Sequence, residues 1–534
     1  MDRRLFLKNL TIAGAAFASR AVANATTGHQ STKPNVVVIL ADDVGFGDIG
    51  CYGASVVATP AIDALAHDGL RFTNAHSDAA TCTPSRFALL TGTYAWRRDG
   101  VHVLPGDARS LISPGEASVA SVLSDAGYRT GLVGKWHVGV GNGSIDWNSD
   151  IKPGPCELGF QESFYFPATA DRVPTVFVHN HRVVGLDPND PIHVSYGKPI
   201  GDEPTGREHP ELLKQKLSEG HDGTIVDGIS RIGFMTGGTA ARWKDEEMAA
   251  TLTYKACEFI ETSRDKPFFL YFAPSDIHVP RAPAAQFSGK SSCGVRCDVI
   301  SQLDWSIGRV TETLKKLNLL DNTIIIFTSD NGPVVNDGYD DGSDRALNGH
   351  TPAGTLRGGK YSIYEGGTRE PFLVSWPGRI KPGVSTALVS QVDLLRSLAT
   401  ICGANVPANN AGDSLDVSPA LLGRSQMGRI VLVEEAEVLA IRDARWKLVD
   451  RSQMPGRRDP NQKPRPLTKA QPAEVRERQR KWHEPWTVDY PEAPLELYDL
   501  KSDPGETKNV AADHPDIVVR LRSRLEQIRN SGRS

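Results

Sequence analysis

Residues 36–40 are five consecutive apolar positions, Val-Val-Val-Ile-Leu, set between Pro34-Asn35 and the acidic pair Asp42-Asp43. A run without polar alternation must be covered on both faces, which predicts a buried strand of a parallel sheet. Similar runs occur at residues 131–133, 268–272 and 323–327. Between them, apolar positions recur three and four apart. Residues 62–69 and 117–127 read as amphipathic helices ending at glycine caps, Gly69 and Gly127, and 246–262 and 299–317 read as longer helices. Strands alternating with helices predict an α/β fold: one large doubly wound, mostly parallel sheet domain over residues 34–390.

Beyond Gln391 the texture changes. Short strand candidates at residues 430–433, 438–442, 446–449 and 495–500, closed by a helix at 513–528, predict a smaller C-terminal α+β domain, 391–534, with an antiparallel sheet. It contains a proline-rich insertion, residues 451–490, with ten Lys or Arg against five Asp or Glu. No internal repeat is present.

The N-terminus adds a separate signal. Arg3-Arg4 precede Leu5, Phe6, Leu7 and Lys8, and a modest apolar stretch leads to Ala23-Asn24-Ala25. This pattern predicts a twin-arginine signal peptide over residues 1–25, recognised by the twin-arginine export machinery, and a bacterial periplasmic or secreted product. No other stretch is apolar over the roughly 20 residues a membrane span needs, so the mature protein is expected to have no membrane partner. The 534 residues carry a net charge of −4, and four basic residues against Asp2 in the leader leave −7 on the mature chain. That balance lacks the basic excess of a nucleic-acid binder. Cys293 and Cys297 can bridge locally or pair elsewhere, and no second ligand pair near them supports zinc. Cys51, Cys156, Cys257 and Cys402 read as buried or bridged.

Several chemistry-bearing segments sit where strands end. Asp42-Asp43 follows the first strand and Asp330-Asn331 follows residues 323–327, placing four hard oxygen donors at one sheet edge, a set suited to Ca²⁺ or Mg²⁺ and not to zinc. Gly134-Lys135-Trp136-His137-Val138-Gly139 follows another strand, with Lys135 and His137 two apart on one side of an extended segment. Asp276-Ile277-His278-Val279-Pro280 follows residues 268–272, and the glycine-rich Leu356-Arg357-Gly358-Gly359-Lys360 leads to Tyr364-Glu365-Gly366-Gly367-Thr368-Arg369-Glu370-Pro371. In Cys82-Thr83-Pro84-Ser85-Arg86, Pro84 and Ser85 open a helix whose amides can hold an anion, with Arg86 as a bidentate donor.

The segment from Cys82 to Gly92 resembles the signature of the sulfatases, C-x-P-S-R followed by a short helix and T-G. The G-K-W-H-x-G, H-x-P and Lys360 segments resemble further motifs of that family, in its order. The resemblance covers residues 34–380 strongly and, through Leu497-Tyr498-Asp499-Leu500, residues 495–510 weakly. It implies an alkaline-phosphatase-like fold and hydrolysis of sulfate esters. It implies that Cys82 is oxidised to formylglycine by a formylglycine-generating enzyme, the hydrated aldehyde being the nucleophile. It also implies that Asp42, Asp43, Asp330, Asn331 and residue 82 bind Ca²⁺ in preference to Mg²⁺. Arg86, Lys135 and Lys360 would neutralise the sulfate, His278 would protonate the leaving alcohol, and His137 would accept a proton from the remaining hydroxyl; His278 and Lys360 can exchange the acid role.

Tyr94-Ala95-Trp96-Arg97 and Val176-Phe177-Val178-His179-Asn180 resemble sulfatases acting on glycans, implying a sulfated carbohydrate such as 6-sulfated galactose or N-acetylgalactosamine. Candidate substrate contacts are Arg97, Arg98, His102, Asp171, Arg172, His179 and His181. The basic insertion, with Trp482 and Trp486, reads either as a sugar-stacking surface or as a solvated loop. Two alternatives remain open: a phosphatase or phosphonate hydrolase of the same superfamily, and an inactive glycan-binding protein on a sulfatase fold. The first would favour a Ser or Thr nucleophile and a histidine-rich two-zinc site, absent at the matching positions.

Overall fold

The computed structural model describes residues 33–453 and 494–534; the leader expected at 1–25 and almost all of the basic insertion lie outside the described residues. Strand β1 (Asn35–Ala41) is the axis of the molecule. On its flanks lie β2 (Gly69–Phe72), β3 (Arg129–Lys135), β4 (Glu162–Phe166), β5 (Val178–His179), β6 (Arg182–Val183), β7 (Phe268–Ala273), β8 (Thr323–Ser329), β9 (Phe372–Ser375) and β10 (Gly383–Ser385). They form one ten-stranded sheet in the order β10-β2-β9-β8-β1-β7-β3-β4-β5-β6. The central five, β8 to β4, run parallel, with Val37 opposite both Ile325 and Leu270.

The unbroken apolar run of β1 has the cause expected of it. Val36, Val38 and Leu40 enter one core with helices α2 (Cys82–Thr91), α3 (Val119–Asp125) and α6 (Leu394–Cys402). Val37, Ile39 and Ala41 enter a second core on the other face, with α1 (Pro60–His67), α4 (Asp245–Ser263) and α5 (Gly294–Lys316). Both faces are covered, so both sets of side chains leave water.

Gly127 follows α3 with a left-handed φ of 87°, as a glycine cap requires. Gly69 is a correction: α1 ends at His67, and Gly69 opens β2. It is small there because a Cβ would stand 2.3 Å from the carbonyl oxygen of Val374 on β9.

Strands β11 (Leu432–Glu435), β12 (Leu439–Arg442), β13 (Trp446–Asp450) and β14 (Leu495–Asp499) make a separate antiparallel sheet in sequence order. One face packs Val433, Ile441, Leu448 and Leu497 against α7 (Pro515–Ser531). The other face carries buried charge. Arg442 Nη1 donates to both carboxylate oxygens of Glu365 at 2.8 Å, and Lys447 Nζ lies 3.1 Å from Glu365 and from Glu434. These ions pin the small sheet to the segment that follows Lys360. Cys293 and Cys297 bridge locally at the start of α5, and the other five cysteines are free thiols. Among the described residues no helix is long and apolar enough to cross a membrane.

Candidate active site

Because β8, β1, β7 and β3 are parallel neighbours, the residues that follow or end them meet at one edge of the sheet. Asp42 follows β1, and its Oδ1 accepts from Lys135 Nζ, the last residue of β3, at 2.7 Å. Its Oδ2 accepts from Ser275 Oγ, just beyond β7, at 2.7 Å. Burial alone would raise the Asp42 carboxyl, but Lys135, with His278, Arg86 and Lys360, reverses that and holds it far below the usual carboxylate range. Asp330 follows β8 and accepts from Arg86 Nε at 2.9 Å, while Arg86 Nη1 donates to the carbonyl of Lys135 at 3.1 Å.

Asp43 adopts a left-handed backbone, φ 60°. That turn directs its carboxylate to Asn331 Nδ2 at 2.7 Å and Lys360 Nζ at 2.9 Å. Lys360 also donates to Asp337 at 2.9 Å; burial opposes its charge, yet Asp337 and Asp43 hold it protonated well above the ordinary lysine range.

Cys82 opens α2, and every residue of that helix is buried. Ser85 Oγ donates to the carbonyl of Ala79 at 3.0 Å and Thr83 Oγ1 to that of His137 at 2.9 Å, fixing the helix start against the β3 loop. Burial pushes the Cys82 thiol up, so an unmodified cysteine stays protonated and a weak nucleophile.

His137 is fully buried, and burial with the charges of Lys135 and Arg172 holds its pKa well below 6.5, so the ring is neutral. Its Nε2 faces the carbonyl of Leu104 at 3.0 Å and must be the protonated nitrogen. Nδ1 is therefore the lone-pair nitrogen, and it has no hydrogen-bond partner among the described residues. In His278 the ring is held from the other side: Nδ1 donates to the carbonyl of Val279 at 2.7 Å, and Nε2 faces Asp43 Oδ2 at 3.9 Å.

The donor set fits a hard divalent cation. Asp42, Asp43, Asp330 and Asn331 are fully or almost fully buried oxygen donors. Asn331 Oδ1 is buried without a hydrogen-bond partner among the described residues, although its Nδ2 is fully engaged. An orphaned carbonyl oxygen among carboxylates is a cation ligand in waiting.

Residues 34–404 match the sulfatase family model. The chain belongs to the sulfatase family. It is 48% identical over 505 residues to an N-acetylgalactosamine-6-O-sulfatase of Bacteroides thetaiotaomicron, covering 94% of each chain. It is 33% identical over 506 residues to human arylsulfatase A, covering 92% of this chain and 86% of that one. A solved structure from work on metabolism of multiple glycosaminoglycans by Bacteroides thetaiotaomicron, designated 6S-sulf, superposes with a TM-score of 0.85 at 47% identity, covering 93% of this chain and 100% of that one. This sulfatase is accordingly a sulfuric ester hydrolase.

The sulfatase places its expected substrate contacts unevenly. Asp171 and Arg172 stand at the site: Arg172 Nη1 donates to both Asp171 oxygens at 2.9 and 3.0 Å, and its charge acts on His137 and Cys82. His102 is exposed, in the loop whose Leu104 carbonyl faces His137. Arg97 is engaged elsewhere, donating to Asp413 at 2.7 and 2.8 Å, and Arg98 pairs with Glu116. His179 and His181 are not brought to the site either. β5 runs antiparallel to β4, so the chain from His179 onward heads for the amino edge of the sheet, where His181 pairs with Glu157 at 2.9 Å.

Three functional neighbours escaped the sequence reading. Ser275 was within sight, one residue before the Asp276 segment. Asp337 and His221, which donates from Nε2 to Asp171 at 2.8 Å, lie in segments without a motif and had no signal.

Proposed function

We propose that this sulfatase hydrolyses a 6-O-sulfate ester of N-acetylgalactosamine or galactose in a sulfated glycan, using a formylglycine made from Cys82 and a Ca²⁺ ion held by Asp42, Asp43, Asp330, Asn331 and residue 82. The observation that carries the reading is the convergence of Arg86, Lys135, Lys360 and His278 on the strand-end carboxylates Asp42, Asp43 and Asp330, with the His137 backbone tied to the start of the Cys82 helix through Thr83. The relative named N-acetylgalactosamine-6-O-sulfatase, 48% identical along nearly the whole chain, supports the sugar.

A formylglycine at position 82 would supply, as its hydrate, one hydroxyl as nucleophile and a second that can be deprotonated, and a Ca²⁺ held by Asp42, Asp43, Asp330 and Asn331 would supply positive charge to the sulfate oxygens. Arg86, Lys135 and Lys360 bind and neutralise those oxygens. A protonated His278 delivers its Nε2 proton to the leaving alcohol oxygen, with Lys360 as the other donor in reach. His137 Nδ1, neutral and unpartnered, takes the proton from the second hydroxyl. Asp171, Arg172 and His102 bind the sugar. A twin-arginine leader at residues 1–25 supports export to the periplasm or outside the cell, with the formylglycine-generating enzyme acting before export.

The test is peptide mass spectrometry over residues 72–97 of protein from the native host, run beside sulfate release from 6- and 4-sulfated N-acetylgalactosamine and 6-sulfated galactose, with aryl phosphate as control. Formylglycine with preferred 6-sulfate turnover is expected. A purely thiol Cys82 or a phosphate preference overturns the reading.

A further inference from the structure

Tyr361 follows Lys360 directly and is the oddest residue of the site edge. Its backbone is left-handed, φ 73°, where a bulky side chain is strained and glycine or asparagine is not. Its side chain is nonetheless 47% exposed, so core packing does not account for the strain. Two tyrosines stand among the exposed large apolar side chains of the described residues: Tyr254, on α4, and Tyr361.

The surrounding contacts force the conformation. The Tyr361 backbone amide donates to the carbonyl of Ala80, two residues before Cys82, at 2.8 Å. Its hydroxyl donates toward Asp337 at 3.3 and 3.4 Å, the same carboxylate that accepts from Lys360. The ring centroid is 5.5 Å from Lys360 Nζ. A strained, half-exposed aromatic ring therefore stands beside Lys360 at the edge of the site. Strain that packing does not explain is kept for function.

We propose that Tyr361 is a specificity-determining platform on which the sulfated pyranose stacks, its apolar C–H face against the tyrosine ring. A galactose-configured ring is suited to this, because its axial 4-hydroxyl leaves one face without polar groups. A sulfate held by Lys360 leaves the attached sugar within reach of a ring 5.5 Å from that ammonium. The assignment rests on the glycan reading above and adds the residue that selects a sugar over another alcohol.

Tyr361→Gly removes the ring and relaxes the backbone, so folding is not at risk; Tyr361→Phe keeps the ring and loses only the Asp337 bond. The probes are a 6-sulfated N-acetylgalactosamine saccharide as substrate and inorganic sulfate as product inhibitor. For Tyr361→Gly, KM is expected to rise about tenfold with kcat nearly unchanged, while the inhibition constant of sulfate stays within about twofold; Tyr361→Phe, which keeps the ring and loses its tether to Asp337, should show a smaller rise in KM, about threefold at most. An unchanged KM in Tyr361→Gly overturns the assignment. So does an equal rise in the sulfate inhibition constant, since the residue would then act through Lys360. A wild-type enzyme that releases sulfate from no saccharide overturns the glycan reading itself, and this assignment with it.

Discussion

Arg296 Nη2 donates to the backbone carbonyl of Asp43 at 3.0 Å. The same guanidinium binds the buried Asp48 through Nε and Nη2 and the carbonyl of Val334 through Nη1. His350 closes the network with a 2.7 Å contact to Asp48. Arg296 itself sits between the two bridged cysteines on the first turn of α5. The left-handed turn that aims the Asp43 carboxylate is thus held from behind by a residue of another element.

Arg296→Met leaves Asp48 buried with half its partners, and a loss of roughly 3–5 kcal/mol in stability is expected. Calcium affinity should fall about 10- to 100-fold as Asp43 loosens. Thermal unfolding and calorimetric calcium titration on a Cys82→Ala background check both. A weaker fold with unchanged calcium affinity would make Arg296 purely structural.

Asn331→Ala deletes the orphaned oxygen and the 2.7 Å hydrogen bond to Asp43. Calcium affinity is expected to drop about 10-fold or more, and chelation should abolish turnover reversibly in the wild type. Activity that survives exhaustive chelation speaks against the ion.

His137→Ala removes the unpartnered base. The alcohol should be released once per active site while sulfate stays bound, and steady-state kcat should fall by roughly 10²–10⁴. Rapid-quench measurement of both products separates this from a failure to cleave, in which neither appears.

His76 gives a stability prediction. It lies between Glu434, 3.0 Å from Nδ1, and Arg442 Nη1, 2.8 Å from Nε2, with Asn74 Oδ1 also 3.0 Å from Nε2. Burial, then Arg442, lowers its pKa to about 4. Above the ordinary value of about 6.5 neither state is protonated; below it the unfolded chain gains a proton that the folded chain refuses. Stability should therefore fall as pH drops from 6.5 to 4, by roughly 3 kcal/mol at most from this group. Melting temperatures of His76→Gln should decline less over that window than those of wild type.

Much of the fold could be read from the chain because it depended on local pattern. Five apolar residues in a row need cover on both faces, and alternate residues of β1 do enter two cores. The same logic reached the residues at strand ends, since parallel neighbours bring their carboxyl ends to one edge. It failed at Gly69, where the constraint is a neighbouring backbone and not a helix cap.

The sequence by itself determined the family, the strand-end carboxylates and the Cys82 helix, because each is written in consecutive or regularly spaced residues. Tertiary structure alone decided which charged side chains are tied up away from the carboxyl edge of the sheet. Arg97 and Arg172 are the same residue type in equally promising segments. Arg97 is taken by Asp413, 316 positions away in the chain, and Arg172 is held by its neighbour Asp171 beside His137. Periodicity records which side of an element is buried; the partner that reaches a buried charge is set by how distant elements pack.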